Sequence, residues 1–351
     1  MAALFGEVLA LCADAGLVRV GMIAVDGTKV AANAAPQATR DYEQIAREIL
    51  AEADAVDAAE DERFGDARGD ELPPELATAQ GRRGWLREAK RRLDEQRAQE
   101  ARPVPRDRPD RLREAKRRLE EEHRVQCGAN AAYETYRARG VDRNGKKFGR
   151  PPKPFASPPA PAGKINLSDL DSRNVKTSRG WVQGYNAQAV ATEDQIVIAA
   201  EVTVASPDFG HLEPMIRATE HELRRAGIEQ QVEIVLADAG YWHQVQMERL
   251  LGDGHTVLIP PDAKKRAGAR PGWDGGLYSF MRRVLETDAG RELYAKRQTM
   301  IEPIFADTKF NRRIDRFLRR GRSAARSEWR LTNAAHNLLK LWRHTTAPAA
   351  A

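Results

Sequence analysis

Residues 20–29, VGMIAVDGTK, and residues 232–241, VEIVLADAGY, decide the fold. In each, a run of β-branched and other apolar residues ends on an aspartate, Asp26 in the first and Asp238 in the second. Short continuous apolar runs bounded by turn residues read as strands inside a sheet. Side chains at strand ends of an open α/β sheet converge on a ligand, so Asp26 and Asp238 face one another if the two strands pair. Asp26-Gly27 also fits a turn, and a hairpin is expected over residues 17–33, with one strand ending at Val25.

Outward from these runs, Ile45, Ile49 and Val56 recur at helical spacing, which predicts a helix from Tyr42 to about Ala59, broken by Gly65, Gly69 and Pro73-Pro74. The octapeptide LREAKRRL occurs at 86–93 and again at 112–119. Pro103, Pro105 and Pro109 exclude one unbroken helix, so two charged helices with a bent linker are expected. The Gly-, Pro- and Lys-rich stretch 143–164 reads as an extended linker. Residues 181–192 and 194–204 predict a second antiparallel hairpin turning at Thr192–Asp194. Leu212, Met215, Ile216, Thr219 and Leu223 then mark a helix over about 209–226, with Gly227 at its C-cap. A strand is expected at Val232–Ala237, a helix near Trp242, a strand over 255–260, a Gly-rich loop around 268–276, and a helix from Tyr278. From Arg291 to His344 nearly everything reads as helix.

The 351 residues are 41% apolar and 31% charged, enough for one large domain or two ordinary ones. A mean hydropathy of −0.62 and the lack of an apolar run near bilayer length argue against a membrane protein. The opening residues have no basic n-region and no small-residue cleavage site, so a cytoplasmic protein is expected. Cys12 and Cys127 stand apart and outside any CxxC spacing, which leaves neither a disulfide framework nor a zinc site.

The net charge is +6 and unevenly spread. Asp41–Glu75 holds thirteen acidic and three basic residues, Arg82–Arg118 fifteen basic and seven acidic, and Lys309–Arg326 eight basic and one acidic. Clustered arginine is the footprint of a phosphate-backbone binder, because each neutralised phosphate releases counterion. The mixed-sign 82–118 block fits a solvated, salt-bridged helix better. The segment FLRRGRSAARSEWR, residues 317–330, is the better DNA contact.

A third carboxylate, Glu302 in QTMIEPIFADTK, sits on a helix able to project over the sheet. Lys309, seven residues on, returns to the same helical face within about 20°. Three carboxylates without thiol or imidazole suit two hard ions, Mg²⁺ or Mn²⁺, which about 3.5–4 Å apart stabilise both oxygens of an in-line phosphoryl displacement. The reaction class is phosphodiester cleavage or strand transfer. His243, His255 and His336 have no partner at ligand spacing and receive no role. Trp329, Leu338, Leu339, Leu341 and Trp342 read as a core stripe.

The blocks VDGTKVAANA, DLDSRNVKTSRGWVQGYNAQAV, VLADAGYW, IEPIFADTKFNRRIDRFLRRG and EWRLTNAAHNLLKLWRH, in this order, resemble bacterial insertion-sequence transposases with an RNase H-like DDE domain. The resemblance implies a mixed sheet flanked by helices, here with a charged helical insertion and a helical C-terminus. It divides the chain into first strands over 1–36, the insertion and linker over 37–163, and the rest of the catalytic domain with basic helices over 164–346. Asp26, Asp238 and Glu302 correspond to the metal-binding carboxylates, and Tyr294, Arg297 and Lys309 to the companions around the glutamate. Arg297 stands one residue further from Glu302 than the commonest spacing. Asp171, Ser172, Arg173 and Lys176 match a further block. Arg312, Arg313, Arg316, Arg319 and Arg320 are expected on DNA together with Tyr294, Arg297 and Lys309.

The activity implied is metal-dependent cleavage and strand transfer at the ends of an element, on terminal inverted repeats and target DNA, by a homodimer near the nucleoid. Only 25 residues precede Asp26, fewer than the resemblance leads one to expect, which suggests a copy truncated at the N-terminus. A catalytically silent DNA-binding remnant and an RNase H-like nuclease without joining are the alternative readings.

Overall fold

A computed structural model describes residues 1–64, 107–141, 147, 153–154, 158–177, 180–262 and 275–346. The first LREAKRRL copy, the breakers at Gly65 to Pro74, much of the 143–164 stretch and most of the Gly-rich loop lie outside these residues. The chain divides into two compact units, Met1–Ala38 with Asp171–Ala351, and Thr39–Leu170.

In chain order the first unit opens with α1 (Ala2–Asp14) and β1 (Met22–Ala31). The second unit supplies β2 (Thr39–Asp41), α2 (Tyr42–Phe64), α3 (Arg108–Ala138) and β3 (Lys164–Asn166). The first unit resumes with β4 (Arg173–Thr177), β5 (Gly180–Thr192), β6 (Val197–Thr203), α4 (Leu212–Arg225), β7 (Ile234–Ala237), α5 (Gln244–Gly252) and β8 (Thr256–Leu258). It ends with α6 (Gly276–Glu286), α7 (Asp288–Ala306) and α8 (Arg322–Thr346).

In the second unit β2 and β3 pair antiparallel, and α2 packs on α3. Asp107 caps α3 by accepting from the Asp110 amide at 2.8 Å, with Pro109 in the first turn, where its missing N–H costs nothing. Leu112, Ala115 and Leu119 of the second LREAKRRL copy form its buried stripe. The charged residues between them pair on the surface, Glu114 with both Arg117 and Arg118 at 2.7 Å. Those bonds, Arg117 first, hold the Glu114 carboxyl down at about 2.

The sheet of the first unit is centred on β1, antiparallel to β5 and parallel to β7, with β8 parallel beyond β7. The long β5 also pairs with β4 along Gly180–Gly184 and with β6 along Asn186–Ala191. This mixed sheet with its helices is consistent with an RNase H-like fold. The hairpin at Thr192–Asp194 forms as expected, with Gln195 taking φ +61° in the turn.

The hairpin expected at Asp26-Gly27 does not form. β1 runs straight through both residues, pairing with β5 from Ile23 opposite Thr192 to Ala31 opposite Gly184. The opening helix was not anticipated either; Phe5, Val8, Leu9 and Cys12 are its buried stripe, and it packs on α8.

The helix α8 covers β6. Trp329 is fully buried and its Nε1 donates to the Gln188 carbonyl at 2.8 Å. Asn337 clasps Val197, its Oδ1 accepting from the Val197 amide at 2.9 Å and its Nδ2 donating to the carbonyl at 2.8 Å. Arg330 and Arg322 donate to the Ala200 and Val202 carbonyls. Strand groups outside the ladder thereby find partners. Trp342, placed in the core stripe by its spacing, is 61% exposed, and Leu338 is exposed too, because the buried stripe of α8 runs through Trp329, Asn333, His336 and Asn337.

Replacing Asn337 by Ala strands two buried backbone groups, and a loss of about 2 kcal/mol is expected in urea unfolding. Leu338→Ala, on the exposed flank, should change stability by less than about 0.5 kcal/mol.

Candidate active site

β1 and β7 run parallel in the register Met22–Ile234 to Val25–Ala237. Continued by one residue, that register sets Asp26, midway along β1, beside Asp238 at the carboxyl end of β7, the edge where ligands of open α/β sheets bind. Asp238 begins a short 3₁₀ turn and accepts from the Gly240 amide at 2.8 Å. Asp26 is 15% exposed and accepts from the Gly27 amide at 2.7 Å. Burial pushes the Asp26 carboxyl up to about 6; the Asp238 charge raises it further and Arg297 opposes both.

Arg297 joins two of the expected carboxylates. Its Nη1 donates to Asp26 Oδ2 at 2.8 Å and its Nη2 to Glu302 Oε1 at 3.4 Å, while its Nε is buried without a hydrogen-bond partner among the described residues. Tyr294 lies one turn earlier, its ring centroid 5.9 Å from the Arg297 guanidinium carbon, and burial raises its phenol. Glu302 is 52% exposed and therefore open to solvent. The next residue, Pro303, has no amide to give the Thr299 carbonyl, and Gln195 from the β5–β6 turn donates to that carbonyl at 2.8 Å instead. The helix is thus tied to the sheet one turn before Glu302.

Lys309 does not share a helical face with Glu302. α7 ends at Ala306 and a π-turn over Asp307–Asn311 follows, so the 100° step fails. The Lys309 ammonium donates to the Lys29 carbonyl on β1 at 3.0 Å, and burial with the Lys29 charge lowers its proton affinity. The helix expected through residues 312–321 is likewise absent. Arg313 adopts φ +56°, turning the chain so that Asp315 and Phe317 bond to Ala31 at the end of β1. Arg312 pairs with Asp307, Arg316 donates to the Ala32 carbonyl and Arg320 to that of Asn33. Arg313 and Arg319 are exposed without side-chain partners among the described residues.

The lone histidines have structural partners. His243 caps α5, His255 bonds to Val232 and Glu220, and His336 to Gln195.

A polar network on β1 and β5 was not anticipated. Asp208 Oδ1 accepts from Asn186 Nδ2 at 2.7 Å, Gln188 Nε2 at 2.8 Å and Lys29 Nζ at 3.2 Å. The buried Tyr241 hydroxyl donates to Gln188 Oε1. Asn186 and Gln188 alternate with apolar residues in a strand buried on both faces, which was the available signal. A Cβ on Gly27 would lie 2.3 Å from Gln188 Nε2 and 2.6 Å from Asp208 Oδ1. Gly27 is there for close approach and not for a turn.

Among the described residues no three His, Cys, Asp or Glu side chains are gathered closely enough to hold a metal ion. The carboxylate oxygens are chemically right for Mg²⁺ or Mn²⁺. Their arrangement is not, since Arg297 engages Asp26 and Glu302.

Residues 276–342, about a fifth of the chain, match the family model described as Transposase DDE domain. The match spans α6 to α8 and contains Tyr294, Arg297, Glu302 and Lys309. It supports a DDE transposase. No curated protein and no solved structure matches the chain.

Two measurements check this geometry. Gly27→Ala should cost about 1–3 kcal/mol in urea unfolding, because the network must shift to admit a methyl group. Asp26 holds its proton more tightly folded than unfolded, so its ionisation weakens the folded state as pH rises from about 4 through 6. Asp26→Asn lacks this ionisation, and in a chelator its stability should gain on the wild type over that window by up to about 3 kcal/mol, then stay level. A gap that does not change with pH would contradict the buried environment of Asp26.

Proposed function

We propose that this chain is the transposase of a bacterial insertion sequence, cutting phosphodiester bonds at the ends of its element and joining the freed 3′-hydroxyls to target DNA. The pairing of β1 with β7 carries the reading: it sets Asp26, inside β1, beside Asp238, just past the end of β7, and α7 brings Arg297 and Glu302 to the same place. DNA is the partner that a transposase DDE domain implies.

In this reading Asp26 and Asp238 flank the attacking hydroxyl, one of them accepting the hydrogen bond that its O–H donates. Arg297, Lys309, Arg313 and Arg319 offset the charge of the phosphates around the cut. Arg312, Arg316 and Arg320, already bonded to the protein, shape that surface and add positive potential. Mg²⁺ or Mn²⁺ is the cofactor the resemblance implies, and no step is assigned to an ion while Arg297 holds the space between Asp26 and Glu302. Two copies, one on each end, form the working assembly beside the nucleoid. Among the described residues no helix is long and apolar enough to cross a membrane.

Labelled DNA from either side of the coding region, incubated with the protein and Mg²⁺ or Mn²⁺, tests the proposal. Cutting and joined products are expected, and Asp238→Asn should reduce both about a hundredfold or more while DNA binding persists. Binding without cutting in either protein would leave a DNA-binding remnant. Cutting without joining would leave a nuclease.

A further inference from the structure

The connection between α7 and α8 carries the two most exposed large apolar side chains among the described residues, Phe310 at 75% and Leu318 at 78%. Neither sits on a loose backbone. The Leu318 amide donates to both carboxylate oxygens of Glu328, at 2.9 and 3.0 Å, and its carbonyl accepts from Asn33 Nδ2 at 2.6 Å. Its neighbour Phe317 is buried, edge-on to Tyr185, with its amide on the Ala31 carbonyl. Phe310 stands between Lys309, tied to the Lys29 carbonyl, and Asn311, tied to Asp307. Both side chains are therefore held out into solvent by a fixed frame that follows the end of β1 and the two residues after it, from Lys29 to Asn33.

The chemistry around them selects an occupant. Eight of the eighteen residues from Lys309 to Arg326 are basic and one is acidic, and the guanidinium groups of Arg313 and Arg319 are exposed with no partner among the described residues. A partner matching this surface presents regularly spaced negative charge with flat apolar faces between. Duplex DNA does so when a base step opens, and phenylalanine and leucine are among the side chains that enter such steps. The anchors of this frame, Lys29 and Asn33, lie three and seven residues from Asp26, about 10 and about 23 Å along an extended chain, so an opened step here falls within about seven base steps of the cut.

We propose that Phe310 and Leu318 are wedges that unstack the DNA near the cleaved phosphate, with Arg313 and Arg319 on the flanking phosphates. The proposal rests on the reading of the site as a DNA-cleaving one. It makes a deformed duplex, and not a straight one, the true substrate.

Duplexes from the DNA flanking the coding region, carrying the fluorescent base aminopurine at successive positions, test it in chelator, where binding is read without cutting. On binding, the wild type should brighten the probe at one or two neighbouring steps, which reports unstacking. Phe310→Ala and Leu318→Ala should abolish that signal and weaken binding about tenfold. With Mg²⁺ or Mn²⁺ their cutting should fall on paired duplex and recover on duplex mismatched at the same step. Anisotropy of the same duplexes separates the two levels of the argument. Binding and cutting without brightening overturn the wedge and leave the function standing, whereas no binding overturns both. Variants whose cutting is not restored by the mismatch also overturn the wedge. So does loss of a dimer in sedimentation with the fluorescence unchanged, which would make these side chains a contact between copies.

Discussion

Two carboxylates stand side by side on neighbouring parallel strands in this protein, one inside β1 and one just past the end of β7, and the groups around them are arranged to tolerate that charge. Asp26 and Asp238 cannot separate without breaking the β1–β7 register, because one more residue of pairing brings them side by side. Burial and mutual repulsion both favour protonation of Asp26. The guanidinium of Arg297 is the opposing force, 2.8 Å from the Asp26 carboxylate. The same cation reaches Glu302 and so links the last part of the chain to the first strand. A phosphate or an ion entering this site competes with Arg297 for Asp26 and Glu302.

The opposite requirement holds for the second polar layer. Asp208 gathers Lys29, Asn186 and Gln188 on one oxygen, and Tyr241 closes the chain of bonds through Gln188. One acceptor of this buried network, Asn186 Oδ1, has no hydrogen-bond partner among the described residues, so the network holds its geometry at a cost. It also fixes the β1 backbone beside Asp26, since the absence of a Cβ at Gly27 lets the Asp208 carboxylate come close. The carboxylates are thus positioned by the Arg297 ion pair on one side and the cluster around Asp208 on the other.

What was legible in the sequence follows from this division. Apolar runs ending in aspartate identified β1 and β7, because burial on both faces leaves an unbroken apolar pattern. The same local reading failed at Asp26-Gly27, where glycine serves a contact between distant residues that no window contains. Helical periodicity identified α4 and α7 but overran the end of α7, since a π-turn and the left-handed Arg313 replace a helix there without a proline or glycine to announce it. Arg313 is held in that conformation by the bonds of Asp315 and Phe317 to Ala31, which are tertiary. The stripe of α8 was misplaced for a related reason. Its inner face carries Asn333, His336 and Asn337, polar residues used to satisfy backbone and strand groups, while Trp342 faces outward.

The spacing of Arg297 and Glu302 shows how one residue of register changes a site. Arg297, Met300, Ile301 and Ile304 are all buried in α7, a stripe at three- and four-residue steps. Arg297 therefore occupies a core position and points at the sheet. Glu302, five residues on, is turned about 140° from it around the helix. A spacing of four would bring the two within about 40° and set both on the inner face. Five places the guanidinium underneath, against Asp26, and leaves the glutamate on the flank, half exposed and reached by the far nitrogen of Arg297. The arginine is consequently a fixed part of the floor, and the glutamate is the group free to turn toward whatever arrives from solvent.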